Sequence, residues 1–98
     1  MHVLTVCYGH PADPAAFDAY YTSTHVPLAA KIPGLTSYTY RHCYSLDRSA
    51  PPYHLLAELS FPSQEAMNAA LASPEAQAAT ADVPNFATGG VTMFVARD

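Results

Sequence analysis

The chain has 98 residues, half of them hydrophobic, with four basic and eight acidic side chains. That length holds a single domain spanning residues 1–98, and it excludes a doubly wound nucleotide fold or a barrel of eight βα units. A net charge of −4, with Lys31, Arg41, Arg48 and Arg97 scattered along the chain, excludes a nucleic-acid binder of the usual kind.

The first expected element is a strand over His2–Tyr8. Val3, Leu4, Val6, Cys7 and Tyr8 are apolar with little alternation, so both faces should be buried. The start Met1-His2-Val3-Leu4 lacks a basic region, so no signal peptide is expected and the location should be cytoplasmic. Asp13-Pro14 then opens a helix, with Asp13 as N-cap and Pro14 at the first helical position. Phe17, Tyr20, Tyr21, Thr24, His25 and Leu28 share one face of it. Pro27 should kink this helix or loosen its last turn, and Pro33-Gly34 should stop it.

Leu35–Leu46 alternates. Tyr38, Tyr40, His42, Tyr44 and Leu46 lie on one face of a long strand. A turn over Asp47–Pro52 leads to a third strand, Tyr53–Phe61, antiparallel to the second. Ser63 caps a further helix with Glu65 in its first turn and Met67, Ala70 and Leu71 inward. Ser73-Pro74-Glu75 repeats the capping pattern, which predicts a break and a restart within the Ala-rich tract. Asp82–Gly90 is expected as a loop, and Val91–Ala96 as the last strand.

The order βαββαβ predicts an α+β fold of ferredoxin-like form: a four-stranded antiparallel sheet with helices on one face. Charged residues are 12% of the chain, about half the usual share. More apolar surface is therefore present than a small monomer hides. A second copy packed sheet to sheet would cover it, with the tyrosine strand as the expected contact.

His25 is the leading candidate for chemistry. It sits at the edge of the helix's apolar stripe, which predicts half burial beside tyrosine hydroxyls, a setting for proton transfer near neutral pH. The same spacing also fits a core histidine with one hydrogen bond. The tyrosines fit either the lining of an apolar pocket or an interface. No metal site is expected, because no two of His2, His10, His25, His42 and His54 fall at ligand spacing on a helix. Gly89-Gly90 precedes a strand and is a turn, not a phosphate loop. Cys7 and Cys43 should be free and buried. Glu58, at a mid-strand position, either faces water or is buried with a partner, for which Arg41 on the neighbouring strand is the candidate.

The run Tyr8-Gly9-His10-Pro11-Ala12-Asp13-Pro14-Ala15-Ala16-Phe17-Asp18-Ala19-Tyr20-Tyr21, with Thr24-His25-Val26-Pro27-Leu28-Ala29 and Ile32-Pro33-Gly34-Leu35, resembles the EthD family of the dimeric α+β barrel superfamily. Weaker likeness continues through Tyr53–Phe61, Ser73-Pro74-Glu75 and Asn85-Phe86…Gly89-Gly90-Val91. The resemblance implies a homodimer, a characteristic histidine at His25, and a cleft between sheet and helices. It implies a cofactor-independent enzyme acting on a small apolar molecule, aromatic or polyketide-like. His25 would move the proton, and Tyr8, Tyr21 and Tyr38 would orient the substrate. Asp82, or the Asn85-Phe86 segment, would close the mouth as a lid. No cofactor, nucleic-acid or membrane partner is expected. A non-catalytic binding or accessory protein for an apolar metabolite, and a dimer with a filled cleft, are the other readings.

Overall fold

In the computed structural model, which describes residues 1–98, the elements follow the expected order. They are β1 (His2–Tyr8), α1 (Pro14–Tyr20), a π-helical turn (Tyr21–His25), α2 (Val26–Ala29), β2 (Ser37–His42), β3 (Leu55–Phe61), α3 (Gln64–Leu71), α4 (Pro74–Asp82), a 3₁₀ turn (Val83–Asn85) and β4 (Val91–Arg97). The sheet order is β2-β3-β1-β4, antiparallel throughout.

The register decides which side chains share a face. Val6 stands opposite Ala57 on β3 and Met93 on β4, and Tyr40 stands opposite Ala57 from the other side. Leu4, Val6 and Tyr8 therefore face the helices together with Leu55, Ala57, Leu59 and Phe61. The strict alternation of β3, buried at every second residue, records one covered face. Phe17, Tyr21, Ala29, Met67, Ala70 and Ala79 complete the core from the helical side.

The predicted caps form. Asp13, Ser63 and Ser73 each accept a bond of 3.1 Å from the backbone N–H three residues on, worth about 1 kcal/mol apiece. Ser73 allows α4 to restart directly after α3. At the end of β1, Gly9 N–H donates to the Gly90 carbonyl at 2.9 Å. A Cβ at Gly9 would overlap the Gly89 carbonyl, so this crossing of β1 and the approach to β4 requires glycine.

Several expectations are corrected. The tyrosine face of β2 does not point away from the helices: the Tyr38 and Tyr21 hydroxyls are 2.8 Å apart, and the Tyr40 ring lies 5.2 Å from that of Tyr21. The uncovered apolar surface of the sheet lies on β4 instead, where Phe94, on the face away from the helices, and Met93 and Val95, on the helix side, are each about half exposed. β2 ends at His42, leaving Tyr44 and Leu46 exposed outside it. An Asp47 carboxylate bonded to Ser49 turns the chain, and Pro51-Pro52 cannot donate to a ladder there. Leu71, at the end of α3, is partly exposed, and Cys43 is only half-buried, although both cysteines are free. Asp82 ends a helix rather than opening a loop. Arg41 and Glu58 do approach, at 4.0 Å, but both are exposed and the pair adds little.

Candidate functional site

The site begins with Pro27. Its ring has no N–H and crowds the carbonyl four residues back, so an α-turn cannot run through it unaltered. The chain widens instead: Val26 N–H donates to the Tyr21 carbonyl five residues back. A π-turn winds more residues into each revolution than an α-turn. This cancels the drift that would carry every fourth residue sideways. Phe17, Tyr21, His25 and Ala29 consequently all point inward, and His25 is only 5% exposed. The α-helical spacing had predicted a half-buried ring.

Asp82 arrives from the last turn of α4. Its Oδ2 lies 3.0 Å from His25 Nδ1. Its Oδ1 accepts from the Tyr20 hydroxyl at 2.5 Å and from Asn85 Nδ2 at 3.1 Å. Burial alone would raise the Asp82 carboxyl. The bonds from Tyr20, Asn85 and His25 outweigh it and hold the group below the usual carboxylate range. An ionised Asp82 can only accept, so His25 carries its proton on Nδ1 and presents a lone pair at Nε2. Burial lowers the His25 pKa below its ordinary value, against the opposing pull of Asp82. The imidazole is therefore neutral at pH 7, with the basic nitrogen turned away from its carboxylate.

His25 forms part of the wall of a narrow slot of about 60 Å³ between the sheet and helices α2 and α4. Leu4, Val6, Ile32 and Leu59 line its depth, and Leu71 and Met93 stand partly exposed at its rim. A larger cleft of about 240 Å³ crosses Phe17, Tyr20 and Phe86 but does not reach His25.

Of the residues singled out from sequence, His25, Asp82, Tyr21 and Phe86 meet in one place. The Phe86 and Tyr21 rings lie 4.7 and 5.3 Å from the imidazole. Tyr8 packs edge-on against Phe17 and Tyr21 within this cluster. Tyr38 holds the far side of Tyr21 through its hydroxyl. None of the three tyrosines lines the slot. Burial pushes the phenols of Tyr8, Tyr21 and Tyr38 up, so all three remain neutral. Asp82 stands behind the imidazole, joined to it, rather than at a mouth.

Sequence spacing did not join Tyr20 and Asn85 to Asp82. Tyr20 and Asn85 bracket Asp82, and only their shared proximity to the helix ends hints at it. It also missed a cluster outside this site. Asp18 on α1, His42 at the end of β2 and His54 just before β3 converge, their ligand atoms all within 4.8 Å of one another. Spacing along one element could not find it, because each residue comes from a different element.

Comparison with known proteins agrees with this architecture. The model of the EthD domain matches residues 9–90. An uncharacterized 11.0 kDa protein from the thcB-thcC intergenic region of Rhodococcus erythropolis is 52% identical over 94 residues, covering 96% of this chain and 91% of the relative. The crystal structure of an ethyl tert-butyl ether d (ethd) family protein from Bacillus halodurans superposes with a TM-score of 0.93 at 28% identity, covering 100% of this chain and 98% of that one. A dimeric ferredoxin-like protein of unknown function from Thermobifida fusca gives 0.73 at 16% identity, covering 100% and 92%. That last likeness is one of fold.

Proposed function

Because the chain belongs to the EthD domain family, we propose that it is a small enzyme that moves a proton on an apolar molecule, aromatic or polyketide-like, without a bound cofactor. The observation that carries this reading is the buried His25–Asp82 pair beside an apolar slot. A carboxylate that fixes tautomer and orientation leaves the opposite imidazole nitrogen ready to accept a proton, and stabilises the imidazolium that forms. Tyr20 and Asn85 keep that carboxylate ionised and aimed.

Ligand sites usually enclose roughly 300–1,000 Å³, so a substrate must widen the slot of about 60 Å³. Met93 at the rim is unbranched and half exposed, and swings aside at small cost. The proposed entrance lies there, against edge strand β4. The same strand gives the reading of a homodimer: a second copy would cover Phe94, on the sheet face opposite the helices. The dimeric state named for the Thermobifida fusca neighbour supports it.

The test is turnover. Purified protein is screened against small aromatic and polyketide-like compounds with exchangeable protons, and His25→Gln is compared on any substrate found. A loss of about 10²–10⁴-fold in kcat/KM is expected. Unchanged turnover would remove the catalytic role.

A second reading has one observation in its favour. The slot is almost wholly apolar, with His25 and Thr80 its only polar walls, so it offers burial but few groups to polarise a substrate. A binding or accessory protein would keep its ligand in His25→Gln and release no product from the wild type.

A further inference from the structure

The cluster of Asp18, His42 and His54 is built in a way that hydrogen bonding alone does not require. His42 Nε2 and His54 Nε2 both point at the same oxygen, Asp18 Oδ1, at 2.9 and 2.8 Å. Two imidazole nitrogens and one carboxylate oxygen thus converge on a single point from three elements. We propose that this point is a binding site for a divalent first-row transition ion, with zinc the first candidate.

The donor set selects that chemistry. Imidazole nitrogen suits zinc, copper and nickel, whereas magnesium and calcium prefer oxygen throughout. Zinc holds nitrogen and oxygen ligands at about 2.0–2.2 Å, which separates tetrahedral ligand atoms by about 3.3 Å. The two nitrogen–oxygen spacings reach that value when the side chains open by a few tenths of an ångström, and the two histidine nitrogens, which lie within 4.8 Å of one another, adjust toward it by rotation of the exposed His42 side chain. The ion would take the place of the two shared protons.

The backbone holds the ligands in register. His54 N–H donates to the Tyr8 carbonyl at 2.8 Å, and its own carbonyl accepts from Cys43 N–H at 3.0 Å. His54 is thereby tied to β1 and to the residue after His42. Its ring sits edge-on to Phe17, 5.0 Å away, beside Asp18 on α1. The site remains accessible, since the His42 and Asp18 side chains are 57% and 40% exposed. Three protein ligands with open outer positions match a site that keeps water or exogenous ligand on the ion. Neither Nδ1 has a protein partner. Such outer partners typically raise affinity by about 10–100-fold, so binding in the micromolar rather than the nanomolar range is expected.

The site is separate from His25, which lies seven residues, about 10 Å, further along the same helical run. Its role is to clamp α1 to the β2–β3 end of the sheet.

The experiment uses metal-stripped protein titrated with zinc chloride by calorimetry, with thermal unfolding in parallel. One zinc per protomer and a rise in Tm of several degrees are expected. His42→Ala and His54→Ala should each weaken binding by at least about tenfold, and His2→Ala, at the other end of β1, should not. Copper loaded in place of zinc should give an electron paramagnetic resonance spectrum with coupling to two imidazole nitrogens, which falls to one in His54→Ala. Failure of the wild type to bind zinc at 100-fold molar excess would overturn the proposal. So would binding undiminished in both folded histidine variants.

Discussion

Asp82 Oδ2 lies 3.0 Å from His25 Nδ1, although 57 residues separate the two in sequence. Both side chains are buried, and Asp82 is engaged on its other oxygen by Tyr20 and Asn85. The pair is the centre of a polar network enclosed by aromatic rings, where each bond counts for more than it would in water.

Replacing Asp82 with Asn tests that network. The amide keeps the shape but loses the charge and the bias toward the Nδ1–H tautomer. Stability should fall by about 1–3 kcal/mol, measured by urea unfolding, because bonds to a charged acceptor are lost within a buried site. Turnover of an identified substrate should fall by at least about 10²-fold. Wild-type stability in this variant would show that the carboxylate is not engaged as described.

Stability should also depend on pH in a defined direction. The folded His25 pKa lies below its ordinary value of 6.5. As pH falls through 6.5, the unfolded chain binds this proton first, so unfolding becomes easier. The contribution is complete above 6.5 and is lost on acidification until the lowered folded value is passed. Asp82, with a pKa below its ordinary 3.8, adds a second loss at more acid pH. Chemical unfolding between pH 8 and 5 should give falling midpoints in the wild type and a flatter profile in His25→Gln. An equal slope in both proteins would assign the dependence elsewhere.

Gly9→Ala probes the clamp between β1 and the approach to β4. The new methyl group meets backbone, the Gly89 carbonyl, which has no rotamer by which to yield. A loss of about 2–4 kcal/mol is expected, seen as a lower Tm. Gly90, whose surroundings are open, is strained by its φ of 87° alone, so Gly90→Ala should cost less, about 1 kcal/mol. Equal costs at the two sites would contradict the close approach.

Sedimentation of Phe94→Glu addresses the uncovered strand. Phe94 is half exposed on β4, on the face opposite the helices. A charge there cannot be buried in an apolar contact without a partner. The wild type should sediment as a dimer at tens of micromolar, and the variant as a folded monomer. A wild type that is monomeric at that concentration would remove the sheet-to-sheet contact.

Much of this fold is legible from the chain because it rests on local chemistry. Asp13, Ser63 and Ser73 announce their helices by capping, and the alternation from Leu55 to Phe61 announces a one-faced strand. The direction of the tyrosine face is not legible. Period-two alternation separates Tyr38 and Tyr40 from Thr39 and Arg41, but it does not say which set meets the helices. The depth of His25 is hidden for a related reason. Pro27 signals a disturbed helix, while the width of the resulting turn, which sets the ring's direction, depends on tertiary packing. His25 itself stands out in sequence. Its partner does not, because the approach of α4 to the first helix leaves no mark in spacing. The convergence of Asp18, His42 and His54 is invisible for the same reason.

Nitrogen-15 magnetic resonance of the His25 ring across pH tests the His25–Asp82 pairing most directly and needs no substrate. A neutral ring is expected, with its proton on Nδ1, an unprotonated Nε2, and a titration midpoint below 6.5 that shifts in Asp82→Asn. A ring protonated on Nε2 at neutral pH, or a midpoint above 6.5, would contradict it.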